Sequence, residues 1–123
     1  MRQLNVIVHE EIIIENSFLT CDLGEKATTT LAEINSLRQT ATTPPLELMG
    51  PAYELHPLMP QPTDDLEVIV SGGLKRACCI TQVYTLLEAG YRAKLHPTAC
   101  LDFGSLPKDT IARMISKYPS ILN

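Results

Sequence analysis

Two adjacent thiols are the first feature with chemical potential. Cys78 and Cys79 lie inside VIVSGGLKRACCITQVYTLLEAGY, Val68–Tyr91, after two glycines and two cations. A thiol at the start of a helix meets unpaired backbone N–H groups and the positive end of the helix dipole, which favour the thiolate. Lys75 and Arg76 add positive field. The same amides could hold an oxyanion if the thiolate attacks a carbonyl. The plainer reading makes both cysteines small apolar core side chains. Adjacent cysteines lack the C-x-x-C redox spacing. His9, His56 and His96 are scattered and make no zinc-ligand spacing with the cysteines. The glycines fit neither G-x-x-x-x-G-K-[ST] nor G-x-G-x-x-G, so a phosphate or dinucleotide cradle is not indicated.

The thiols need elements to position them. Leu66–Val70 is a short, nearly all-apolar run, as expected of a parallel strand buried on both faces. Ile80, Val83, Tyr84 and Leu87 follow at helical spacing, and Gly90 is a stop signal. Tyr91–Leu95 begins another strand and His96–Phe103 reads as loop. A last helix is expected from Asp109, with Ile111, Met114 and Ile115 on one face, ended by Pro119 and followed by an edge strand at Ile121–Leu122.

Upstream, Leu4–Val8 and Ile12–Ile14 read as strands, and Ser17–Cys21 as a third. Ala27, Leu31, Ile34 and Leu37 form the apolar face of a helix ending before Thr43-Pro44-Pro45. The span 43–65 is a loop holding six of the nine prolines, with room for a short strand near Leu46–Met49. Loops of this length in a domain are often functional, by covering a site or reaching a neighbouring subunit. Strand and helix alternate, so the expected fold is α/β with a mainly parallel sheet and right-handed crossovers.

Composition narrows the partners. The 123 residues fit one domain, 1–123, and a 45% hydrophobic share supplies a core. The net charge of −4 and the absence of a basic stripe argue against nucleic acid. No run approaches the ~20 apolar residues of a membrane span. The N-terminus, broken by His9, Glu10 and Glu11, does not read as a signal peptide. Reduced thiols in a cytoplasm are therefore expected. No cofactor or metal is indicated.

In the run Leu66–Asp102, the order of strand, Gly73-Leu74, Cys79, helix, Gly90-Tyr91, strand and Thr98-Ala99 resembles the isochorismatase-like cysteine hydrolases. The resemblance implies a three-layer α/β sandwich, here abbreviated, and a homo-oligomer. It implies a Cys-Asp-Lys triad with Cys79 as nucleophile. Cys78 and Cys79 would supply oxyanion amides, and Gly73, Leu74 and Lys75 would line the pocket. A cis peptide would fall at Leu74–Lys75. Asp22 stands nearest the family's acid/base position, with Glu10 and Glu11 as rivals. No lysine occurs between Lys26 and Lys75, so the family's lysine position is empty.

Three functions follow as expectations. The first is a hydrolase of a small amide or related acyl compound. The second is a catalytically inactive binding or assembly module using the same pocket or the Pro-rich segment. The third is a thiol redox protein. A general acid/base contributes ~10²–10⁴ in rate, so an empty lysine position weighs on the first.

Overall fold

The computed structural model describes residues 2–104 and 106–122. Four strands, β1 (Arg2–Val8), β2 (Leu46–Leu48), β3 (Leu66–Gly72) and β4 (Arg92–Cys100), form one sheet in the order β2-β1-β3-β4. Every pairing is parallel, and β1 and β3 are in register from Arg2↔Leu66 to Val8↔Gly72. The helices are α1 (Glu10–Ser17), α2 (Asp22–Thr40), α3 (Ile80–Glu88) and α4 (Lys108–Lys117). The expected α/β class with a parallel sheet is present.

The period of two along the strands separates two cores. Leu4, Val6 and Val8 of β1 and Leu66, Val68 and Val70 of β3 pack with Ile80, Val83 and Leu86 of α3 and Met114 of α4. Ile7 points the other way, to Ile13 of α1 and Ala27 and Ile34 of α2. Helices therefore cover both faces. The β1–β2 and β3–β4 connections run in opposite directions along the sheet on opposite faces, as right-handed crossovers demand. The switch point lies between the carboxyl ends of β1 and β3, where open α/β sheets usually place a ligand.

Several upstream expectations are corrected. Ile12–Ile14 is helical, inside α1, and Ser17–Cys21 is the corner between α1 and α2. The three isoleucines mimic a strand, but only Ile13 is buried, so one side of this segment meets the core. The second helix begins at Asp22, before the first periodic alanine. The short strand within the Pro-rich span is present as β2. At the other end, β4 continues through Pro97 to Cys100, because it is an edge strand with a register shift opposite Val70–Gly72. Ile121–Leu122 is a turn rather than a strand, with Ile121 buried against the α3 face.

The long span 49–65 is tied down. The buried Gln82 of α3 donates from Nε2 to the carbonyls of Ala52 (2.7 Å) and Glu54 (2.9 Å). The Tyr91 hydroxyl donates to the Pro60 carbonyl. Lys117 pairs with Glu88 at 2.6 Å, joining α4 to α3. Among the described residues no helix is long and apolar enough to cross a membrane.

Candidate thiol site at the carboxyl edge

β1 and β3 approach closely at their carboxyl ends. Gly72 has φ 119°, and a Cβ there would lie 2.0 Å from the Val8 carbonyl oxygen. Only glycine serves at this position. The next peptide, Gly73–Leu74, is cis, one residue earlier than the expected Leu74–Lys75. Lys75–Cys79 then forms one wide helical turn before α3 begins. The Leu74 carbonyl accepts from the amides of Ala77 (3.1 Å) and Cys79 (3.0 Å). The Cys79 amide is therefore engaged inside the turn and does not face outward as an oxyanion donor. The wide turn is the cause, since it delays the α-helix past the cysteines.

The two adjacent thiols have different surroundings. Cys79 is wholly buried in the core beneath α3, and Cys78 is half-buried. A hydrogen bond to Cys100, reinforced by burial, pushes the Cys79 thiol well above the ordinary range. Cys79 is thus held as a neutral thiol, the less nucleophilic form.

The third thiol of this group is Cys100, in a segment expected as loop and found as the end of β4. It ends β4 opposite Gly72, and its thiol donates to the Val70 carbonyl at 3.3 Å. Its thiol is drawn below the ordinary range, first by the Cys79 hydrogen bond and then by the amides of His96 and Gly72 and the charge of Lys75, against burial. Of the two thiols, Cys100 is therefore shifted down and Cys79 up. A sequence signal existed in the residues after Tyr91–Leu95, where a longer parallel strand would bring its end beside Gly72.

The carboxylates do not join this group. Asp22 is exposed at the start of α2 and lines an open cleft of about 560 Å³ with Glu25, Lys26, Thr29, Thr30, Cys100 and Asp102. Ala99 and Leu101 belong to the α1–α2 core, whereas Cys100 packs on the α3 core. Cys100 therefore borders the cleft and also packs on the α3 core. Asp22 and Lys26 lie on the other side of the sheet from Cys79. Among the described residues no hydrogen bond or ion pair joins Asp22 to a cysteine.

Glu10 pairs with Arg38, which also holds Glu47. Glu11 keeps one buried carboxylate oxygen without a hydrogen-bond partner. Lys75 donates its amide to the Leu101 carbonyl at 2.8 Å, and Arg76 pairs with Asp102 at 3.5 Å.

The switch-point crevice is occupied by the chain itself. His9, at φ 47°, turns the backbone directly into α1, with its Nε2 at 2.6 Å from the Gly50 carbonyl oxygen. Ile12 and Ile13 pack over Gly73, where a Cβ would meet Ile13 at 2.9 Å. A larger cleft, about 810 Å³, lies at the opposite end of the strands, lined by Arg2, Gln3, Asn5, Lys94 and His96 among others. Neither cleft is lined by Cys78 or Cys79. No group of three His, Cys, Asp or Glu among the described residues is arranged to hold a metal ion.

No family model and no curated protein matches this chain.

Proposed function

We propose that the chain is a non-hydrolytic, isochorismatase-like α/β module that acts by assembly, through the Pro-rich connection between β2 and β3. The observation that carries this reading is the enclosure of Cys79, whose thiol is 0% exposed and whose amide is bonded to Leu74. A nucleophile needs a substrate path and a base within hydrogen-bond reach. Among the described residues Cys79 has neither, and α1 packs over Gly73 where a ligand would enter.

The connection has the opposite character. Gln82 and Tyr91 hold its backbone, yet Met49, Tyr53 and Leu58 expose 68%, 70% and 73% of their surfaces. Fixed, outward apolar side chains suit an interface, since ordering them on contact costs little further entropy. The adjacent strand β2 is a sheet edge, and self-association agrees with the homo-oligomer that the resemblance implies.

The test has two arms. Sedimentation should show a self-associating wild type and a Tyr53→Ser/Leu58→Ser variant shifted toward monomer. Small primary amides should be hydrolysed no faster than in buffer. A monomeric wild type overturns the assembly reading. Amide turnover abolished by Cys78→Ala or Cys79→Ala establishes the hydrolase instead. That second reading is favoured by one observation, the half-exposed Cys78 beside Lys75 at the head of α3.

A further inference from the structure

The larger cleft, about 810 Å³, lies at the amino ends of the strands, away from the cysteines. We infer that it is a binding site for a small carboxylate with an apolar body, of the aryl- or alkyl-alkanoate class.

Strand register builds the floor. Asn5 of β1 stands opposite Ile69 of β3, and Ile69 stands opposite Lys94 of β4. All three line the cleft, so a side-chain amide, an apolar side chain and a cation form one row across the sheet. With strands ~5 Å apart, the ends of that row are ~10 Å apart, which leaves room for an apolar body between two polar ends. Lys94 and His96 are two residues apart on β4, so they share a face. Leu37 and Thr40 of α2 supply the wall. This end of the sheet is open because the buried residues of α2 stop at Ile34. The volume falls within the ~300–1,000 Å³ of ligand pockets.

The lining is rich in donors. Among the described residues it contains Arg2, Lys94 and His96 and no carboxylate, although the whole chain carries a net charge of −4. The His96 Nδ1 accepts the amides of Thr98 (3.1 Å) and Ala99 (3.0 Å). A neutral ring held in that way carries its hydrogen on Nε2, which has no hydrogen-bond partner among the described residues. Lys94 is half-exposed and meets Glu67 at 3.5 Å, and its three N–H donors can hold a second carboxylate. The acidic groups at the margin are engaged. Glu67 also accepts from Gln3 at 3.3 Å, Asp65 accepts from Arg2 (3.2 Å) and Thr63 (2.6 Å), and Glu33 accepts from Thr98 at 3.2 Å. The carboxyl end of α2, with its partial negative charge, leads into β2 at the opposite edge of the sheet from β4. An anion therefore settles at the β4 side against Lys94 and His96, and the apolar body lies over Ile69 toward Leu37.

The experiment titrates the isotope-labelled full chain with octanoate and with phenylacetate, each beside its alcohol, octanol or phenethyl alcohol, and follows the backbone amide shifts. At least one carboxylate is expected to move the amides of Asn5, Ile69 and Lys94 to saturation, with the matching alcohol weaker by about tenfold or more, the scale of one charged hydrogen bond. Lys94→Met, at an exposed position, keeps the stem and removes the charge. It should weaken the carboxylate by about tenfold and leave the alcohol unaffected. Lys26→Met, in the smaller cleft beside Asp22, should change neither. Absence of saturable shifts with both carboxylates, shifts centred on Asp22 and Lys26, or equal affinity for acid and alcohol overturns the inference. Unchanged carboxylate affinity in Lys94→Met also overturns it. Leu58 borders both this cleft and the exposed connection, and neither variant touches it, so loss of binding and loss of self-association are separate results.

Discussion

At Cys79 a buried thiol governs how stability depends on pH. Its folded pKa is raised, by the bond to Cys100 and then by burial. The folded state therefore prefers the protonated form. The stability this provides is complete below the unfolded thiol value of ~8.5 and is lost as pH rises through the folded value. Cys100 works in the opposite sense, because its folded pKa is depressed. Its contribution is present above the ordinary thiol value and fades as pH falls through the folded one. Cys79→Ala removes the first effect and the largest cause of the second. We expect denaturant titrations of the parent to show stability falling from pH 8 to 10, and the variant to lose that fall. We also expect iodoacetamide to label its Cys100 more slowly at pH 7.5 than in the parent. Unchanged Cys100 labelling would show that Cys79 does not support the thiolate. At this scale the pattern of residues was only half legible. The special junction could be seen in Gly72-Gly73 and the paired cysteines. Which thiol is sealed could not, because that depends on a wide turn made by Lys75–Cys79.

The element that brings Cys100 into place is the shifted end of β4. His96 shapes it: its ring Nδ1 accepts the amides of Thr98 (3.1 Å) and Ala99 (3.0 Å). An imidazolium has no free lone pair there, so the arrangement requires the neutral ring. Burial, chiefly, lowers the His96 pKa, with Lys94 adding to it and Glu33 opposing. For a depressed histidine, the stability is complete above the unfolded value of ~6.5 and is lost as pH falls through the folded value. Acidification from pH 7 to 5 should therefore lower the hydrogen-exchange protection factors across 96–100, each taken against the intrinsic rate at its own pH, while β1 and β3 stay protected. His96→Ala should show the lowered protection already at pH 7. Equal protection in both proteins at both pH values would remove His96 from this role. Helical and buried-strand periodicities found α2, α3 and β3 by their apolar spacing. They failed at Ile12–Ile14, where β-branched side chains suggest a strand but a helix buries just Ile13. They also failed at Pro97, which ends most strands but is tolerated on this edge.

Across the whole molecule, the decisive feature is what fills the space between the carboxyl ends of β1 and β3. Ile13 is 0% exposed, and with Ile12 it covers Gly73. Ile13→Ala should cost about 2–5 kcal/mol, as for other fully buried isoleucines, measured by urea denaturation. It should also open the crevice, so that Cys78 reacts faster with iodoacetamide in the variant than in the wild type. A loss of under about 1 kcal/mol, the scale of a tolerated repacking, would mean that α1 is not the plug described here.

The sequence by itself determined that strands and helices alternate, that β3 is buried on both faces, and that a thiol-bearing junction follows it. These are consequences of local periodicity and of glycine's freedom at Gly72. Tertiary structure alone decided that Cys79 is enclosed, that Cys100 packs on the same core, and that Asp22 lies across the sheet from Cys79. Cys79 and Cys100 meet because β3 and β4 pair in parallel with a shifted register, a relation between distant segments that local spacing does not encode. Asp22 is kept from Cys79 by the alternation along the strands, which sends Val6 and Val8 to the α3 core with Cys79 and Ile7 to the α2 side.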